Sequence, residues 1–128
     1  MILYHVTFAK HIDRIKRVGI KPHQPRLWKR AGDLSPYGDG SIYVFEDRHD
    51  AIRWAGKMDW EWHQATGTGK IAVLCIQSKP EGWVEDLSDP LSRAGSKGRW
   101  LKGYEAIHPE QIVGHELVTR EKLKSVIC

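Results

Sequence analysis

The run Ile71-Ala72-Val73-Leu74-Cys75-Ile76 is the tightest constraint on how this chain folds. Six successive apolar residues, three of them β-branched, leave no polar face, so a strand here is covered on both sides. Such a strand is central in a sheet and needs partners. Residues 2–7 and 41–45 supply two, being short, apolar and rich in aromatic and β-branched members. The segment Gly82-Trp83-Val84-Glu85 reads as another, and residues 100–108 and 112–119 as two more, joined around Pro109-Glu110.

Two helices interrupt the strands. Over residues 9–18, Ile12, Ile15 and Val18 fall on one helical face, Lys10, Arg14, Lys16 and Arg17 fall mostly elsewhere, and Gly19 closes the helix. The second runs from about 48 to 64. Asp47 is its N-cap, and Asp50 three residues on makes a short version of a capping box. Ala51, Ile52, Ala55, Met58 and Trp62 form its apolar stripe, and Thr66-Gly67-Thr68-Gly69 breaks it. Residues 21–40, with three prolines, three glycines and many basic groups, form one long loop; residues 87–98 form another, and the tail from Thr119 a helical turn. The order β-α-loop-β-α followed by strands predicts a single α+β domain over residues 1–128 rather than a parallel βαβ sheet.

At 128 residues the chain is long enough for a real core, burying roughly two-thirds of its unfolded surface. Cys75 reads as a small core residue and Cys128 as exposed; neither has a partner at zinc spacing. The N-terminus lacks a signal pattern and no apolar run reaches membrane-spanning length, so a reducing cytoplasm is the expected location. The net charge of +4 conceals an asymmetry: residues 1–30 carry +7, residues 31–95 carry −5 and residues 96–128 carry +2. A basic first quarter is either a solvated face or a footprint for the phosphates of a ligand or a nucleic acid.

Three separated segments each offer one polar residue in a strand-like setting: Leu3-Tyr4-His5-Val6-Thr7, Gly40-Ser41-Ile42-Tyr43-Val44-Phe45 and Gly103-Tyr104-Glu105-Ala106-Ile107. The first, with Ile12, Ile15 and Gly19-Ile20-Lys21-Pro22, resembles the opening strand and helix of the ADP-ribosyltransferase superfamily. The second, with Ala51 and Trp54-Ala55 after it, resembles the second motif of that family, and Tyr104-Glu105 through Gln111-Ile112 the third. The order His-Tyr-Glu is similar to the diphtheria-toxin-like and poly(ADP-ribose) polymerase-like members. Gly103 two residues before Glu105, and the lack of a Ser-Thr-Ser strand, depart from the arginine-modifying type.

The resemblance implies a split mixed or antiparallel β-sheet with two main helices, and an enzyme that cleaves NAD as substrate without a metal. Breaking the nicotinamide–ribose bond builds positive charge on the ribose, which a fixed carboxylate stabilises. By the resemblance Glu105 is that carboxylate, His5 hydrogen-bonds a ribose, the Val6 backbone pairs with the nicotinamide amide, and Thr7 is a further cofactor-binding residue of the same strand. Val6 stands where the family usually has Gly. Tyr43 stacks on the nicotinamide ring, Tyr37 offers a second aromatic face, and Arg26, with Lys29 and Arg30, reaches the pyrophosphate. Trp28, amid these charges, covers a ligand or partner. The residues also admit plainer roles: a buried His5 satisfied by a backbone carbonyl, a core Tyr43, and a Glu105 paired with Lys102 or Arg99. The implied acceptor is a nucleic acid or an acidic or nucleic-acid-binding protein, in the setting of a toxin or a phage effector. The alternatives are an RNA 2′-phosphotransferase or NAD-hydrolysing enzyme of the same superfamily, or a non-catalytic binding module on this scaffold.

Overall fold

The structure, a computed structural model, describes residues 1–22, 41–66, 71–87 and 90–118, and within these not the side chains of 58–66, 91 and 92. It is a mixed α+β domain. Strand β1 (Ile2–Phe8) leads through a 3-10 turn (Ala9–His11) into helix α1 (Ile12–Val18). Then come β2 (Ile42–Phe45), α2 (Arg48–Thr66), β3 (Ile71–Gln77), β4 (Trp83–Glu85), a short α3 (Pro90–Arg93), β5 (Trp100–Gly103), a 3-10 turn (Pro109–Gln111) and β6 (Ile112–Leu117).

The six strands form one sheet in the order β4-β5-β2-β1-β3-β6, and every pairing is antiparallel. The apolar run in β3 lies between β1 and β6 and is covered on both faces, as its composition requires. Ile71 and Val73 pack with Val6, Phe8, Phe45 and Trp100 against Ala51, Ile52 and Ala55 of α2. Leu74 and Ile76 pack on the opposite face with Leu3, Ile42, Val44 and Leu101 against Ile15 of α1.

Of the mixed or antiparallel pairing expected, the sheet takes the antiparallel form throughout. β1 and β3 pair along their whole length, from Ile2 opposite Gln77 to Phe8 opposite Ile71. β1 and β2 register only at Tyr4 opposite Phe45. Beyond that pair the two strands share no further register, and the cavity described below lies there.

Several local expectations are corrected. The helix over residues 9–18 begins as a 3-10 turn and becomes α-helical only at Ile12. Residues 87–98 contain the turn of helix α3. The segments 100–108 and 112–119 are not adjacent strands. β5 ends at Gly103, and residues 104–111 carry the chain under the sheet to β6 on the far side of β2, β1 and β3. On that path Ile107 bridges Ile20, with mutual backbone hydrogen bonds of 2.8 Å. Cys75 is half-exposed rather than a core residue, since its side chain leaves the sheet beside Tyr4 towards the Glu116 edge.

Asp47 caps α2 as expected, accepting from the backbone N–H groups of His49 (2.8 Å) and Asp50 (3.2 Å). Asp50 does not complete a capping box. Its carboxylate, only 2 % exposed, accepts instead from the backbone N–H of Lys97 (3.0 and 3.1 Å) and of Gly98 (2.9 Å), pinning α2 to the strand entering β5. Among the described residues no helix is long and apolar enough to cross a membrane.

Candidate functional site

A cavity of about 680 Å³ opens where β1 and β2 part. Its walls come from both faces of the sheet: His11, Arg14 and Ile15 of the α1 side, and Trp54 and Trp100 of the α2 side. His5, Val6 and Thr7 line it from β1, and Ser41 to Phe45 line it from the β2 segment. Four of the expected site residues, His5, Val6, Thr7 and Tyr43, therefore share one cavity.

Strand alternation separates their side chains. His5 and Thr7 alternate with Leu3, on the α1 face. Val6 belongs to the α2-side core, and Tyr43 alternates with Phe45 on that same face. What joins His5 to Tyr43 is backbone: His5 Nδ1 lies 2.7 Å from the Tyr43 carbonyl oxygen. A carbonyl only accepts, so Nδ1 carries the proton. Burial holds the His5 pKa below 6.5, outweighing the opposite effect of the Tyr43 carbonyl. The ring is then neutral at pH 7 with an unprotonated Nε2, an acceptor suited to a hydroxyl or N–H of a bound molecule.

The α2-side wall is aromatic. Trp100 meets Phe45 edge-on at 5.1 Å and Trp54 edge-on at 5.7 Å. The Trp100 indole N–H is buried and makes no hydrogen bond. Next to Trp100 along the sheet edge is Asp86, whose backbone N–H donates to the Trp100 carbonyl at 2.7 Å. Asp86 is 2 % exposed and, among the described residues, is the one acidic side chain lining the cavity.

Glu105 is placed differently from its expected strand position. It lies in a bend after β5, is exposed, and does not line the cavity. Its carboxylate rests over Gly82, where a Cβ would stand 3.4 Å from Glu105 Cδ. Arg99, one of its expected partners, is engaged elsewhere: its guanidinium holds Glu46 at 2.8 and 2.9 Å and keeps that carboxyl below the usual range. Arg26 and Tyr37 lie outside the described residues, as do Trp28, Lys29 and Arg30.

Some lining residues escape a linear reading. Asp86 follows β4 at the start of a polar stretch, and nothing local marks it as buried. Trp54 and Trp100 converge only through the pairing of β5 with β2. Lys10 and Arg14 also line the cavity, although the sequence placed them only away from the apolar face of the first helix. Among the described residues no group of three His, Cys, Asp or Glu side chains is arranged to hold a metal ion.

No protein-family model matches this chain, and no curated protein is detectably similar to it.

Proposed function

We propose that this domain is a small NAD-dependent ADP-ribosyltransferase, with the β1–β2 cavity as its NAD site. The observation that carries the reading is the fixed, neutral His5, its Nδ1–H held by the Tyr43 carbonyl and its Nε2 free to accept a ribose hydroxyl. The cavity is large enough for a dinucleotide's central part, and its aromatic wall suits a flat heterocycle.

In the reaction, the bond between ribose C1′ and the nicotinamide nitrogen breaks, and its electron pair leaves with neutral nicotinamide. A nucleophile on the acceptor forms the new bond at C1′ and gives up its proton to a base. His5 orients the ribose, Val6 and Thr7 line the strand beside it, and Tyr43 borders the nicotinamide end. A carboxylate must face the developing cation. The resemblance gives that role to Glu105, while Asp86 is the carboxylate in the cavity wall. The acceptor in this reading is a nucleic acid or a nucleic-acid-associated protein, drawn by the basic first quarter of the chain.

Labelled NAD incubated with protein and a cell lysate tests this. Labelled macromolecule from the wild type, lost in Glu105→Gln, supports the role of Glu105. Loss in Asp86→Asn with retention in Glu105→Gln transfers that role to Asp86. Nicotinamide release without labelled acceptor points to NAD hydrolysis. Neither label nor nicotinamide release from the wild type overturns the enzymatic reading and leaves a binding module.

A further inference from the structure

The outer face of α1 carries cations that the fold does not use. Ile12 and Ile15 are the residues α1 buries. A helix turns about 100° per residue, so Arg14, Lys16 and Arg17 fall away from that stripe, and all three are exposed. Arg14 and Arg17, three residues apart, are neighbours on the helix surface. Arg14 also lines the cavity, as does Val18 at the end of the helix.

The other described arginines are engaged. Arg48 holds Glu116 at 2.7 and 2.9 Å, and Arg99 holds Glu46 at 2.8 and 2.9 Å. Arg53 and Arg93 donate to the backbone carbonyls of Gly95 and Leu87. Arg14, Lys16 and Arg17 make no hydrogen bond or ion pair with any described residue. Residues 1–22 hold five Lys and Arg against one acid, Asp13. The 3-10 turn packed on α1 adds one more acid, Glu110. Cations fixed side by side on a helix repel one another, and a polyanion laid across them removes that repulsion and releases its own counterions.

We infer that Arg14, Lys16 and Arg17 form a docking surface for the phosphate backbone of a single-stranded nucleic acid, which is thereby the acceptor presented to the β1–β2 cavity. Its role as acceptor rests on the proposed transferase activity; the docking surface itself does not. Arg offers phosphate oxygens a planar fork and Lys a point charge. A protein interface is built around an apolar centre, and a helix lying on a membrane buries an apolar face. The apolar face of α1 is spent on the core, and Val18 is the one large apolar residue it exposes. A phosphate backbone needs only the cations. Bases in a duplex are stacked and paired, whereas a single strand can turn one base towards the cavity beside Arg14.

Fluorescence anisotropy of the intact chain with a labelled single-stranded oligonucleotide, and with a duplex of the same sequence, tests the inference over a series of salt concentrations. The single strand is expected to bind more tightly than the duplex. Lys16→Gln and Arg17→Gln, both at exposed positions outside the core, are each expected to weaken binding about two- to fivefold near 0.1 M salt. Each should also lower the slope of log K against log salt by about 0.7. Lys79→Gln, at an exposed lysine in the turn before β4, should leave both unchanged. No binding, tighter binding of the duplex, or an equal loss in Lys79→Gln overturns the surface. Binding to vesicles of phosphatidylserine and phosphatidylcholine that depends on Arg17, with none to the oligonucleotide, shows a membrane surface instead and also overturns it. Oligonucleotide binding without any turnover of NAD sustains the surface while the transferase reading fails. Labelling of a protein acceptor that persists in Lys16→Gln and Arg17→Gln, with no oligonucleotide binding, overturns the surface and leaves the transferase reading standing.

Discussion

His5 donates its Nδ1–H to the carbonyl oxygen of Tyr43 across 2.7 Å, at the place where β1 and β2 cease to register as a ladder. A side chain thus satisfies a backbone acceptor next to the cavity, and the imidazole is fixed by the bond it makes. The same bond decides the tautomer, and hence which nitrogen faces a ligand.

That bond has a pH signature. The folded pKa of His5 lies below its unfolded value of 6.5, because burial disfavours the charged ring. The contribution of His5 to stability is therefore complete above 6.5 and is lost as pH falls from there through the folded pKa. NMR titration should find His5 titrating below 6.5. Urea unfolding should show a stability decline over that window that is smaller in His5→Leu. At pH 7.5 the same substitution should cost about 1–3 kcal/mol, because the Tyr43 carbonyl loses its donor.

Asp50 is a structural carboxylate. Its oxygens take the backbone N–H groups of Lys97 and Gly98 in a setting 2 % exposed. Asp50→Ala should destabilise the domain by about 1–3 kcal/mol, since the part-buried backbone N–H groups of Lys97 and Gly98 lose their acceptor. Chemical denaturation measures the loss. ADP-ribose binding per folded molecule should persist, because Asp50 does not line the cavity.

Gly19 ends α1 at φ 80°, and its N–H donates to the Ile15 carbonyl at 2.7 Å. A Cβ at this position would fall inside van der Waals contact with the Ile107 carbonyl oxygen, beside the Ile20–Ile107 bridge. Gly19→Ala should therefore cost about 2–4 kcal/mol, combining left-handed backbone strain with a clash against main chain that has no rotamer to yield. Thermal unfolding should show the loss, and Gly95→Ala, also at positive φ but with only the Arg53 guanidinium near, should cost less.

The expected acid and the acid in the cavity wall show how far local pattern reaches. Glu105 was legible because a motif surrounds it, yet the chain turns after Gly103 and leaves its carboxylate over Gly82. Asp86 carried no signal, because its place beside Trp100 comes only from the pairing of β4 with β5.

By itself the sequence determined the elements and their faces. The apolar run of β3, the stripe Ala51, Ile52, Ala55, the Asp47 cap and the Gly19 stop are local, governed by periodicity and backbone preference within a few residues. Tertiary structure alone decided which strands lie side by side, that all pair antiparallel, and that β5 and β6 end up four places apart. It also decided that β1 and β2 part after one registered pair. These outcomes depend on contacts between residues distant in sequence, where several pairings satisfy the same pattern and packing on both sides of β3 selects one.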